Sequence, residues 1–243
     1  MYTAKASASS YERSDIDDVD FSGDSIGLTA ATLRRIEHAV RRQYQEFASG
    51  LPFHGWHHVE FVRTKAVSLA LKNNADVTIV EAAALLHDLN YMLQRNSRAT
   101  VACQMRAQLL GDLGISEWLV DRIEQVISEA ETESRDEHAC LEAQALSDAD
   151  TLFKALPITP VLLAHKYMEE TGQSIRELCD RILRDQVRLR DRGIYFYDEE
   201  TRRRYEEWAN ANLHLWECIN VSLASPEVQA LVRTLESSDD QAG

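Results

Sequence analysis

Cysteine is scarce in this sequence and nowhere clustered. Cys103, Cys140, Cys179 and Cys218 stand far apart with no C-x-x-C spacing, which argues against a disulfide framework or a cysteine zinc cluster. Reduced thiols in a cytoplasmic protein are the expectation. Only 9 glycines and 4 prolines are spread over 243 residues, so turns are few and long helices are favoured over many short strands. No run reaches the roughly 18 apolar residues of a membrane span, and the N-terminus lacks the apolar core of a secretion signal. Positive charge is short as well. Against 40 acidic side chains there are 26 lysines and arginines, a formal net charge of −14. That balance speaks against generic binding to nucleic acid or an anionic membrane.

What is present is an ordinary soluble composition, 44% hydrophobic and 27% charged, on a chain long enough to bury a large core. Residues 1–27 are acidic, serine-rich and poor in large apolar side chains, which predicts a disordered tail. From Thr29 the pattern becomes helical, with Leu33, Ile36, Val40, Tyr44 and Phe47 at three- and four-residue spacing. After Phe53-His54-Gly55-Trp56-His57-His58 a second helix is expected through about Asn73, a third from about Asp76 to Leu93, and a fourth over about 100–110. Ser116 should cap a fifth. A short helix should lead from about His138 into Ser147–Leu152, and another should run to about Glu170. Ser174, Asp198 and Pro226 open the last three. The end, 237–243, should fray. No strand ladder or repeat is visible. The prediction is one compact all-α, multi-helix bundle over 28–236.

Three separated segments carry ligand-type side chains: His54/His57/His58, His87-Asp88, and Asp148/Asp150. His87-Asp88 ends the apolar run Ala82–Leu86, where a buried carboxylate needs compensation and a cation would supply it. His58 stands four residues before Val62 on the apolar stripe, which makes it a better interior ligand than His57. Two imidazoles and two carboxylates suit Mn²⁺, Fe²⁺, Co²⁺, Ni²⁺, Zn²⁺ or Mg²⁺ and permit metal-assisted hydrolysis. Lys154, one turn after Asp150, could meet a phosphate or lie in solvent. The arginines of 181–192 interleave with Asp180, Asp185 and Asp191, so that run reads as a face of ion pairs.

The ordered set His58 … His87-Asp88 … Asp150 on a helical chain resembles the HD superfamily of metal-dependent phosphohydrolases. The Ser-Asp-Ala-Asp-Thr-Leu segment is similar to that family's "D-A-D-x-L" element, which puts Asp150 ahead of Asp148 as a ligand. Phe53–His58 is similar to the "Y-H-N-x-x-H" opening of some members, with Phe53 and Gly55 in place of Tyr and Asn. The resemblance implies metal ligands His58, His87, Asp88 and Asp150, one bound divalent ion, and His54 as a general acid. It implies attack of a metal-bound water on the phosphorus of a small phosphorylated metabolite, most simply a nucleotide. Gly193–Tyr197 and the Arg-rich helix after Glu199 look like the C-terminal part of small bacterial HD nucleotide pyrophosphohydrolases.

Missing features narrow the choice. Leu89–Met92 replace the acidic pair of guanosine tetraphosphate hydrolases, and the Gly-His-rich extension of deoxyguanosine triphosphate hydrolases is absent. Only His138 lies between the HD pair and Asp150, too few histidines for binuclear phosphodiesterases or HD-type di-iron oxygenases. The alternatives are a non-hydrolytic HD-type nucleotide-binding or signalling module and, further off, such an oxygenase. A homodimer is left open.

Overall fold

A computed structural model describes residues 28–239, with side chains described as far as 234. The tail expected over 1–27 lies outside the described residues, as does most of the segment expected to fray.

Every regular element among the described residues is helical, in a single compact all-α bundle. The α-helices are α1 (Ala30–Glu46), α2 (Trp56–Asn73), α3 (Val77–Leu86), α4 (Asn90–Leu93), α5 (Cys103–Asp112), α6 (Glu117–Ala130), α7 (Leu141–Ala155), α8 (Ile158–Thr171), α9 (Ile175–Asp191), α10 (Glu199–Ser222) and α11 (Pro226–Asp239). Caps fix several starts. Thr29 accepts from Thr32 N, Asp76 from Thr78 N and Ile79 N, and Asp198 from Thr201 N. Ser174 and Glu177 form a reciprocal capping box at α9. Ser116 precedes α6 without such a bond.

Two helices form the axis of the bundle. In α3 nearly every residue from Ile79 to Leu86 is buried, and α1, α2, α6 and α7 pack around it. A helix apolar on all sides belongs at the centre. In α7, Ala143, Ala145, Leu146, Ala149 and Leu152 are buried, and α2, α3, α6 and α10 surround it. One large core joins α1 to α7. A smaller one ties Leu152 and Ala155 to Leu189, Phe196, Ala209 and Leu213, and a third lies around Leu178, Cys179 and Trp216.

Three expectations are corrected. The helix expected over 76–93 is broken at residues 87–89 and resumes as α4. There Leu89 N, Tyr91 N and Met92 N bond three residues back, to Leu86, Asp88 and Leu89 carbonyls, a tightened turn in place of the α pattern. The fourth helix, expected over about 100–110, is α5 and runs to Asp112 with Gly111 inside it, and Gly114, at φ 78, follows its end. The short helix before Asp150 is the 15-residue α7.

Candidate metal centre

His58 enters from the first turn of α2. Gly55 makes that entry possible, because a Cβ there would meet the Leu51 carbonyl oxygen at 2.8 Å. The His58 ring is fully buried between aromatic neighbours, with centroids 4.5 Å from Phe153 and 6.2 Å from Phe53. His87 and Asp88 come from the tightened turn after α3, and Asp150 from the middle of α7. His58 Nε2 stands 2.9 Å from Asp88 Oδ2 and 3.2 Å from His87 Nε2, and His87 Nε2 is 3.2 Å from Asp88 Oδ2. Asp150 Oδ1 is 3.6 Å from His58 Nε2, slightly outside the tight triad. Its other oxygen, Oδ2, is paired with Lys154 Nζ.

The donor set fits a divalent ion. His87 Nδ1 lies 2.8 Å from the Ala84 carbonyl, so that nitrogen carries the proton and Nε2 presents its lone pair to the cluster. Asp88 Oδ2 is buried without a hydrogen bond. Ligands bound about 2.1 Å from an octahedral ion stand about 3 Å apart, and the triad has that spacing. Burial lowers the His58 pKa, which keeps that imidazole neutral. Burial opposes ionisation of Asp88 as well, yet His87 and His58 beside it hold its carboxyl well below the usual range. Burial likewise works against Asp150, where Lys154 outweighs it and lowers the pKa.

The other candidates go different ways. Asp148 faces away from the cluster. It accepts from Arg135 Nη2 at 2.6 Å, Tyr197 N at 2.8 Å and Asp198 N at 2.8 Å. His57 is exposed, and His138 is exposed on the loop before α7. His54 is buried on the cavity wall, its ring stacked on Tyr91 at 3.6 Å between centroids. Its Nδ1 is paired with Glu170 Oε1, while Glu170 Oε2 accepts from the backbone N–H groups of Phe53 (2.8 Å) and His54 (3.0 Å). Sequence reasoning missed Glu170. Its one signal is an acidic side chain immediately before the Thr171-Gly172 helix end, and nothing there points back to His54.

A cavity of about 220 Å³ opens onto His87, Asp88 and Asp150 and is also lined by His54, Lys154 and Arg181. Lys154 and Arg181 thus bring positive charge to the cavity of a strongly acidic protein, as does Arg98, which is paired with Glu133. Arg181 is braced by Tyr167 Oη at 2.7 Å and Asn96 Oδ1 at 2.9 Å.

No family model matches the chain. Over 104 residues it is 35% identical to the uncharacterized protein YpgQ of Bacillus subtilis, a stretch covering 41% of this chain and 50% of that protein. The chain thus spans about half the length of the curated relative it matches. The crystal structure of Bacillus subtilis YpgQ superposes with a TM-score of 0.55 at 22% identity, covering 80% of this chain and 98% of that one. The same protein in complex with ADP gives 0.54 at 24%, covering 80% and 97%. A Lactobacillus plantarum protein gives 0.63 at 18%, covering 80% and 97%. These solved structures share the helical fold of this chain.

Proposed function

We propose that the protein is a metal-dependent phosphohydrolase of the HD type, acting on a small phosphorylated metabolite, with a nucleotide as the favoured substrate. One observation carries the reading. His58 Nε2, His87 Nε2 and Asp88 Oδ2 converge within 3.2 Å of one another, and the proton of His87 is committed to the Ala84 carbonyl on the far side of the ring. These residues, with Asp150, would hold one divalent ion of the Mn, Fe, Co, Ni, Zn or Mg group. The ion, when bound, would activate a water and polarise a phosphoryl oxygen.

The chain's own residues do the rest. Lys154 and Arg181 bring positive charge to the cavity and would hold the substrate phosphate. His54, gripped through Nδ1 by Glu170, would donate from its other nitrogen to the leaving oxygen. Glu170 would stabilise the imidazolium and keep the ring in register. The Tyr91 ring stacked on His54 would restrict water around that proton. The ADP complex of the similarly folded YpgQ supports a nucleotide as ligand, and the cytoplasm is the expected compartment.

The test is a panel of nucleotides and simple phosphate esters with Mn²⁺, Mg²⁺, Co²⁺ and Zn²⁺. Release of phosphate or pyrophosphate, lost in Asp88→Ala, is the expected result. A panel with no turnover under any of these ions would overturn the reading.

A second reading is a non-hydrolytic module that binds a nucleotide and signals. It is favoured by Lys154, which already occupies one oxygen of Asp150 and competes with an ion for that ligand. Nucleotide-induced thermal stabilisation without turnover would select it.

A further inference from the structure

The cavity has a second, less polar wall away from the ligand cluster. Leu178 and Ile182 of α9 and Leu213 and Trp216 of α10 line it. Two buried amides interrupt this apolar surface. Gln186 and Asn212 are 9% and 6% exposed and both line the cavity, and Gln186 Oε1 and Asn212 Oδ1 have no hydrogen-bond partner. Buried acceptors left unsatisfied are unfavourable and uncommon; these two share a wall, and Asn90 Oδ1 is a third amide acceptor without a partner at the same cavity.

The orientation of Asn212 is fixed by its neighbour. Its Nδ2 donates to the Lys154 carbonyl at 2.6 Å, so Oδ1 must be the free end and an acceptor. No such tie is seen for Gln186, whose amide can turn to suit a donor or an acceptor. Lys154 also joins the two halves of the cavity: its ammonium pairs with Asp150, and its carbonyl holds Asn212. A molecule satisfying both halves carries an anionic phosphate at one end. At the other it carries an apolar-faced group with an N–H on its edge.

We propose that the α9–α10 wall is a nucleobase subsite, in which Asn212 Oδ1 accepts an N–H from the base and Gln186 completes the edge. The subsite selects nucleoside phosphates over other phosphorylated metabolites, and it rests on the nucleotide reading given above.

The test measures equilibrium binding to the full chain with Mn²⁺. The probes are α,β-methylene-ADP, the same compound lacking the 6-amino group, and methylenediphosphonate, none of which carries a hydrolysable P–O–P bond. The amino compound should bind about tenfold tighter than its deaminated counterpart, the worth of one hydrogen bond, and both should exceed the diphosphonate. Asn212→Leu should erase the amino preference, and Gln186→Leu, which leaves the Lys154 tie intact, should reduce it several-fold.

Equal affinity for all three probes in the native chain overturns the subsite, as does a uniform loss across them in both variants. Turnover of simple phosphate esters with no advantage for the amino compound removes the subsite and leaves the hydrolase reading standing. Amino-selective binding with no turnover does the reverse. No binding of any probe overturns both.

Discussion

Asp148 and Asp150 stand two residues apart on α7, about 200° around the helix, and look into different regions of the molecule. Around Asp148 the protein supplies its own counter-charge. Arg135 donates to it, two backbone N–H groups from the segment before α10 close around it, and the guanidinium lies 4.6 Å over the Tyr197 ring. Around Asp88 and Asp150 the chain supplies acceptors. Two imidazoles face the carboxylates, one carboxylate oxygen has no hydrogen bond, and Lys154 alone brings a fixed cation. Both regions are buried, so depth does not separate them; the kind of partner does, since a guanidinium and backbone N–H groups surround Asp148 whereas two imidazoles and Lys154 surround Asp88 and Asp150. A buried carboxylate is tolerated where its charge is answered, and under the proposed function a bound ion would answer it in the second region.

The comparison can be broken most decisively by removing one carboxylate from each side. Asp88→Ala should lower Mn²⁺-dependent turnover by about a thousandfold or more, as expected for a lost ligand, and bound metal measured by mass spectrometry should fall with it. Asp148→Ala should instead act on stability. It strands the buried Arg135, at a cost of about 3–5 kcal/mol, read from urea unfolding of ion-free protein. If Asp88→Ala proves the more destabilising of the two in the absence of metal, the contrast fails.

A smaller effect sharpens the role of Glu170. Glu170→Gln keeps the shape but removes the charge facing His54, and kcat should fall roughly ten- to a hundredfold with little change in KM. Unchanged kcat would reduce Glu170 to a structural tie.

The smallest effects are in the pH dependence of folding, and the two carboxyls have opposite signs. Burial pushes Asp148 from 3.8 up to about 6, against the pull of Arg135. Its contribution is therefore present at low pH and lost as pH rises through about 6. Glu170 is lowered from 4.5; burial opposes the shift, and the bonds to His54 and Phe53 prevail. Its contribution is present above 4.5 and lost as pH falls through the lowered value. Urea midpoints for Asp148→Asn and Glu170→Gln between pH 3 and 7 should lose slope in those separate windows.

Much of this could be read from residue patterns, for physical reasons that also mark the limit. Scarce glycine and proline made long helices the economical reading, and Thr29, Ser174 and Asp198 are caps because a side-chain oxygen reaches the next turn. The register of His58 with Val62 is a local property and placed that ring inward. The tightened turn at 87–89 was hidden, because its residues continue an apolar helical period without a glycine or proline to interrupt it. Arg135 lies in a polar connection between helices, where nothing local shows that Asp148 waits for it. The same holds for Glu170 and for the amides at 186 and 212, whose meaning comes from helices packed across the cavity.

The clasp of Glu170 on Phe53 and His54 has a consequence for how the molecule is assembled. It joins positions 116 and 117 residues apart, whereas α2, α3, α6 and α7 find each other within the first two-thirds of the chain. Closing the longer loop adds well under about 1 kcal/mol, but the clasp hangs on α8, whose residues are mostly half-buried or exposed, so the pocket should be among the first parts to open. Amide protons of residues 53–54 should then exchange faster than those of α3, through partial openings that leave the bundle's axis intact.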